Sequence, residues 1–489
     1  MCGVIGLYEH EPVIGRMYSA MLTLQHRGQD AAGILTYDGT YHLKKGNGLI
    51  RDIFDERNIS RLTGKITIGH TRYPTVGGGG KEDAQPFYIH QPYGMAGAHN
   101  GNVTNFFQLK KELFERSNIL VNSNCDGEAI LHVFAEYMAR KREEPVTPQL
   151  IFQAVRYVHR RVRGSYSAVI HIAEKGMVAF RDPHGLRQLV FGQRTDAQGR
   201  RDYGFASESV SLEVIGYQTL RDLPPGGAFF IDAQRNLHEQ RVTVKPFRPC
   251  IFEYIYFARP DTIMNGINVY QSRVLLGRKL ARQIRQRNLD IDLVVPVPDS
   301  ARSAAIEIAR VLKKKYREGL VKNRYIGRTF IMPGQEIRKQ SVRQKLNPIT
   351  SVLKGQKVLL VDDSIVRGTT SRSLIEMVRE AGAEKVYFAS FSAPLRHPCV
   401  YGIDMQTRGE FIATDADAEE IARRLGADGV IYQDMHEMEE AVRQQNRNIK
   451  SFCKACFTGH YPTGDVSEET LSAIESERDA QKQAAKDRS

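Results

Sequence analysis

The sequence holds no run of about 18 apolar residues, so a membrane-spanning helix is not expected. Its first residues, Met1 to Leu7, carry no basic stretch before their short apolar run, and Glu9 and His10 soon follow. No secretory signal is expected, and the cytoplasm is the expected location. Cysteine is sparse: six residues in 489, too few for a disulfide scaffold. No internal repeat with a period of about 20–50 residues is visible. Zinc-finger spacing is absent, as is the aromatic repetition of a single-strand nucleic-acid binder.

What is there is an ordinary globular composition, 41% apolar and 26% charged, long enough for about two to four domains. Lys and Arg exceed Asp and Glu by 69 − 56 = 13. Such a balance attracts polyanions. Most of the excess sits in one segment: Arg310 to Lys345 holds twelve basic residues against Glu318 and Glu336. A phosphate-rich small ligand explains that segment at least as well as a nucleic acid.

The first half reads as short strands interleaved with helices. Ala168–Ile172 and Met177–Phe180 alternate as strands around a turn at Lys175-Gly176. Residues 105–116 and 126–140 read as helices, with Leu131, Phe134, Ala135 and Met138 on one core-facing stripe. Breaks fall at Asp222–Gly227 and Lys245–Pro249, and a domain boundary is expected near residues 235–252. Beyond it strands and helices alternate. Leu293–Val297, Lys357–Val361 and Val386–Ser390 read as strands. Ser303–Tyr316 and Thr370–Ala381 read as helices, the second capped by Gly382. That grammar predicts a parallel sheet with right-handed crossovers. The tail, 465–489, is charged and lacks a strong apolar face, so it is expected to be flexible or a loose helix.

Three constellations carry chemistry. The first surrounds Cys2. If Met1 is removed, the thiol lies beside a free α-amine, which titrates near 8 and can act as its base. Asn100 and Gly101 could offer an amide and a backbone N–H to a tetrahedral oxyanion. Arg72 suits a carboxylate and Asp126 an ammonium. The second is Val361-Asp-Asp-Ser-Ile-Val-Arg-Gly-Thr-Thr-Ser371. Gly368, Thr369, Thr370 and Ser371 open a helix whose first amides would face an anion. Asp362 and Asp363 suit two neighbouring hydroxyls, directly or through Mg²⁺. A Walker lysine is missing, which disfavours a P-loop. The third is Cys250, Cys399, Cys453 and Cys456. By count alone they suit zinc, an iron–sulfur cluster or four unlinked buried thiols.

Together these residues resemble the glutamine phosphoribosylpyrophosphate amidotransferase (amidophosphoribosyltransferase) family. The likeness runs from Cys2 to about Pro462. Its most specific pieces are Cys2–Gly6, Leu24–Gly33, Gly69–Thr75, Ala98–Asn102, Glu253–Asp261, Asn323–Phe330 and the Asp362–Ser371 loop. The resemblance implies an α+β N-terminal-nucleophile hydrolase domain over 2–240, two β-sheets sandwiched between helices. It implies an α/β type I phosphoribosyltransferase domain with a parallel sheet over 250–462.

The implied reaction joins glutamine, water and phosphoribosyl pyrophosphate to give 5-phosphoribosylamine, glutamate and pyrophosphate, the committed step of de novo purine synthesis. By resemblance, Cys2 attacks the glutamine amide, Asn100 and Gly101 form the oxyanion hole, and Arg72 and Asp126 hold the ends of glutamine. Asp362 and Asp363 bind ribose hydroxyls, and with Ser300 they bind Mg²⁺. Gly368, Thr369, Thr370 and Ser371 cradle the 5-phosphate. Residues 325–345 match the family's mobile loop, with Arg343 and Lys345 as contacts. The four cysteines match members that carry a [4Fe-4S] cluster, where they tie the C-terminal segment to both domains. Cys125 matches no role and reads as a small buried hydrophobe. Some members carry a propeptide; here only Met1 precedes Cys2. Purine nucleotides are the implied inhibitors and a homo-oligomer the implied assembly, with no membrane or nucleic-acid partner. The rivals are another cysteine-nucleophile amidotransferase, against which the Asp362–Ser371 loop speaks, and a non-catalytic phosphoribosyl-pyrophosphate-sensing regulator that binds nucleic acid. The latter has no need of Cys2, Asn100 and Asp126.

Overall fold

Two antiparallel sheets face each other in the first half of the computed structural model, which describes residues 1–73, 80–323, 343, 345–405 and 407–476. The first sheet has seven strands. Gly3–Tyr8 runs at its centre between Arg201–Ala206 and Ile66–Arg72. The second has six, with Met95–Val103 paired along its whole length to Gly164–Ile172. Val4, Ile68, Val169, Phe191, Phe205 and Phe229 fill the space between the sheets. Helix Ile14–Thr23 covers the outer face of the first sheet, and helices Asp126–Arg140 and Pro148–Arg161 that of the second. Each central strand is therefore buried on both faces, which is why Gly3–Tyr8 is apolar without alternation.

In the second half Lys315–Tyr316, Leu293–Pro296, Lys357–Asp362, Lys385–Ser390 and Gly429–Tyr432 lie in that order as a parallel sheet. Helices Val269–Gln286 and Arg302–Leu312 pack on one face, and Thr369–Glu380 and Ala418–Leu425 on the other. The chain leaves Leu293–Pro296 towards one edge and returns on its other side at Lys357–Asp362. Such a reversal opens a crevice beyond the carboxyl ends of the two strands.

Two expectations are corrected. The helix expected over Ser303–Tyr316 stops at Leu312. Lys313 turns left-handed, with φ 55°, and Lys315–Tyr316 pairs in parallel with Leu293 and Val294. The first part of the expected tail is not loose. Residues 468–476 are helical, Leu471 is buried, and Glu475 pairs with Arg408 at 3.0 Å. Residues 477–489 lie outside the described residues, as do the Gly77–Gly79 part of the glycine run and nearly all of the basic segment 325–345. Among the described residues, no helix is long and apolar enough to cross a membrane.

A buried ion network joins the two halves. Arg27, 0% exposed, sits in the Gln25–Arg27 turn. Its guanidinium meets Glu208 of the first half at 2.5 Å and Glu253 of the second at 2.9 Å. The Thr262 hydroxyl and Arg259 amide, both from the second half, donate to the other oxygen of Glu208 at 2.7 and 3.1 Å. Arg187 meets Glu253 from the far side at 3.3 Å. Burial alone would push the Glu208 carboxyl up; His26 and Arg27 hold it well below the ordinary range. Removing one partner of such a group strands the others without solvent. Arg27→Met is therefore expected to destabilise the protein by about 3–5 kcal/mol, read as a lower denaturant midpoint. Glu208→Gln and Glu253→Gln, added to it, are expected to recover part of the loss.

Candidate active sites

Cys2 ends up between the sheets because Gly3, the first residue of its strand, pairs with Thr71. That register sets Arg72 alongside. The Cys2 thiol is 7% exposed, and its sulfur lies 3.5 Å from the Tyr73 amide and 3.6 Å from the Tyr73 carbonyl. Its carbonyl accepts from Arg27 Nε at 2.9 Å. Its nitrogen donates to Asn100 Oδ1 at 3.1 Å. That bond turns Asn100 so that Nδ2, fully buried, has no hydrogen-bond partner. A buried amide left unpaired is costly unless a ligand completes it. Gly101 follows with φ +152°, and a Cβ there would meet the Ser165 carbonyl oxygen at 2.0 Å. Only glycine fits.

The second-half chain closes the back of this strand. A Cβ on Gly402 would meet the Gly101 carbonyl oxygen at 2.9 Å. Asn102 Nδ2 donates to the Val400 carbonyl at 2.9 Å, and Ser165 Oγ to the Tyr401 carbonyl at 2.7 Å.

Arg72 is buried and faces Asp83 at 3.6 Å. Asp126 starts its helix and accepts from the Val103 amide at 2.8 Å, with His99 Nε2 at 3.4 Å. Burial would raise its carboxyl; the His99 ring and the Val103 amide hold it below the ordinary range. Cys125 is buried beside it, and burial, then the Asp126 charge, keeps its thiol protonated.

The second site is a cavity of about 630 Å³ in the crevice of the parallel sheet. Asp362, Asp363, Ser300, Gly368, Thr369, Thr370 and Ser371 all line it, as expected, and so do Lys345 and Lys322. Ser300 Oγ donates to Asp363 at 2.5 Å, and Ser364 Oγ to its other oxygen at 2.6 Å. Burial, and then the neighbouring Asp363, pushes Asp362 well above its ordinary value; burial raises Asp363 too. A buried carboxylate pair of this kind fits a divalent cation such as Mg²⁺, whose charge would offset it. Gly368 caps helix Thr369–Glu380 at φ +76°, and a Cβ there would meet Ile412 at 2.6 Å. No side chain caps that helix start, so its first amides face the cavity. Arg343 is not brought to the cavity. It pairs with Glu380, the last residue of that helix, at 2.7 Å on the surface.

Cys250, Cys399, Cys453 and Cys456 are all buried and free. Cys250 and Cys453 bridge two backbone segments, and the Cys456 carbonyl accepts from the Arg396 and His397 amides. Burial, then neighbouring thiols, push Cys453 and Cys456 well above the ordinary thiol value. Cys250 is pushed up to about 11, chiefly by burial. Among the described residues, no three His, Cys, Asp or Glu side chains form a group that could hold a single metal ion.

Comparison with known proteins decides the family. The amidophosphoribosyltransferase of Pseudomonas aeruginosa is 50% identical, over 98% of this chain and 96% of that one. The Escherichia coli enzyme is 47% identical over the same shares. The chain belongs to the amidophosphoribosyltransferase family. Consistently, the glutamine amidotransferase domain matches residues 71–214 and the phosphoribosyl transferase domain residues 267–397. The glutamine phosphoribosylpyrophosphate amidotransferase of B. subtilis, solved with ADP and GMP, superposes with a TM-score of 0.84. It is 38% identical, with 96% of this chain and 98% of that one covered. The fold expected from the sequence, an N-terminal-nucleophile domain followed by a phosphoribosyltransferase domain, is the fold of this family.

The sequence reading missed Arg27, Gln85, Tyr73 and the Glu208–Glu253 pair as site residues. Arg27 lies inside the quoted Leu24–Gly33 motif, the one signal available for it. The orphan donor of Asn100 yields a test. Asn100→Ala is expected to lower glutaminase kcat about 100- to 1,000-fold, with a much smaller change in KM for glutamine.

Proposed function

We propose that Cys2 is the nucleophile of the glutamine half-reaction and that the cavity over Asp362 and Asp363 is where its ammonia is used. The activity is glutamine-dependent amidotransfer to phosphoribosyl pyrophosphate in purine biosynthesis, as in the family. The observation that carries the assignment is the hydrogen bond from the Cys2 nitrogen to Asn100 Oδ1, which leaves the buried Asn100 Nδ2 beside it without a partner. With Met1 attached, the Cys2 nitrogen is an amide and cannot accept a proton. Its removal creates the amine that takes the thiol proton. The sulfur then attacks the side-chain amide carbon, and the oxygen gains charge beside Asn100 Nδ2 and Gly101. The C–N bond breaks, ammonia departs with the proton, and water hydrolyses the thioester to glutamate. Arg72 takes the substrate carboxylate and Asp126 its ammonium.

In the second site Gly368 to Ser371 hold the 5-phosphate, and Asp362 and Asp363 the ribose hydroxyls. Ammonia attacks C1 and the bond to pyrophosphate breaks. Lys345 faces the departing group. Mg²⁺, when held by Ser300, Asp362 and Asp363, would neutralise charge there. Tyr73 supports a short route between the sites, because its backbone touches the Cys2 sulfur and the residue also lines the cavity. A sensor without catalysis would need neither the thiol nor the orphan amide. The domains are read as 2–240 and 250–462. Purine nucleotides are read as inhibitors, supported by the ADP and GMP named with the B. subtilis enzyme, and a homo-oligomer as the assembly.

The four cysteines are read as ligands of a [4Fe-4S] cluster, the group they resemble in the family. Four free, buried thiols within electrical reach of one another, with the buried Arg187 guanidinium beside Cys250 and Cys399, support it. Such a cluster would join chain segments that are remote in sequence.

Cys2→Ser is expected to abolish glutamine-dependent synthesis and retain synthesis from ammonium. Equal loss of both would contradict two separate sites. Protein purified without oxygen is expected to contain about four irons per chain and to absorb visible light. Colourless, iron-free, fully active protein would remove the cluster from this reading.

A further inference from the structure

Three buried side chains line up behind the Cys2 site: Gln85, His99 and Asp126, which are 1%, 2% and 4% exposed. The His99 backbone N–H donates to Gln85 Oε1 at 2.8 Å. A backbone N–H can only donate, so this bond fixes which end of the Gln85 amide is oxygen. The amide nitrogen then faces His99 Nδ1, at 3.2 Å. Oε1, already engaged by the backbone N–H, lies further from Nδ1, at 3.4 Å, so the nearer NH₂ donates and Nδ1 accepts. The proton of a neutral His99 therefore sits on Nε2, which lies 3.4 Å from Asp126 Oδ2 and has no other partner. No lone pair of the ring is left for the Cys2 thiol. Gly127 leaves room for the arrangement: a Cβ there would meet His99 Nδ1 at 2.6 Å and Gln85 Oε1 at 3.0 Å.

We infer that Gln85 and His99 are positioning residues, which fix an Nε2–H donor on Asp126 and so aim its carboxylate at the α-ammonium of glutamine. This rests on the role given to Asp126 above. The Val103 amide and His99 together hold Asp126 Oδ2, which leaves the carboxylate one orientation. Loss of the Gln85 amide frees the ring to exchange its proton between nitrogens. In the tautomer with the proton on Nδ1, the Asp126 carboxylate faces a lone pair and turns away.

The test compares glutamine with 4-carbamoylbutanoate, its analogue without the α-ammonium. Gln85→Leu is expected to raise KM for glutamine about tenfold with kcat changed less than about threefold. Ammonia-dependent synthesis should be unchanged, and kcat/KM for the analogue should match wild type. An equal penalty on both substrates would overturn the inference. Asp126→Asn separates the two layers. If it leaves KM for glutamine unchanged, the role of Asp126 fails and this inference with it. If it raises KM while Gln85→Leu does not, only the positioning role fails. Should Gln85→Leu not fold, ¹⁵N-histidine NMR of the native enzyme decides. An Nε2–H tautomer at His99 supports the inference and an Nδ1–H tautomer overturns it.

Discussion

One guanidinium holds the molecule in register. Arg27 reaches the Cys2 carbonyl with one nitrogen and carboxylates from both halves of the chain with the others. Buried ion pairs add little net stability, since desolvation offsets much of their attraction. What they supply is uniqueness. Any shift of one half against the other would strand Glu208 or Glu253 in a space that water does not reach. Cys2, just ahead of the first strand, is thereby tied to the start of the second half. The nucleophile proposed at Cys2 needs such an anchor, because chain ends are ordinarily the least ordered part of a fold.

From that anchor the chemistry follows two directions. Towards the second sheet lie the orphan amide of Asn100 and the hydrogen-bonded row of Gln85, His99 and Asp126. Towards the second half lies Tyr73, whose ring stands edge-on to Phe257 at 6.2 Å. Phe257 lies under the Arg27 guanidinium and lines the cavity over the paired aspartates. The glutamine side is therefore built of buried, closely packed groups around the unsatisfied donor of Asn100. The phosphate side is built the opposite way, as raised carboxylates and an uncapped helix start that await charge from a ligand.

Much of this was legible in the sequence because it is local. The Asp362–Ser371 loop carries its acids, glycine and hydroxyls within one strand–helix junction, so reading it in order is enough. The pattern of apolar runs likewise located the Leu293–Pro296, Lys357–Asp362 and Lys385–Ser390 strands. The helix expected through Tyr316 was overrun because Lys313, Lys314 and Lys315 favour helix, while the pairing of Lys315 with Leu293 is tertiary and invisible in a local window. Arg343 was read as a contact from the resemblance of its segment to the family's mobile loop, whereas here an equally exposed Glu380 pairs with it. Arg27, Gln85 and Glu253 escaped because each matters through a partner outside its own element, from 14 residues away for Gln85 to 226 for Arg27 and Glu253.

The contact between Gly402 and Gly101 reaches past this one catalyst. Two chain segments some three hundred residues apart press backbone on backbone beneath the strand that carries Asn100, so the floor of the first pocket is made by the other half. A chimera that joined this first half to an unrelated partner would inherit the thiol and the amide but not the surface they rest on. Taking the first half alone would bare the backbone of Gly101 where Gly402 now covers it.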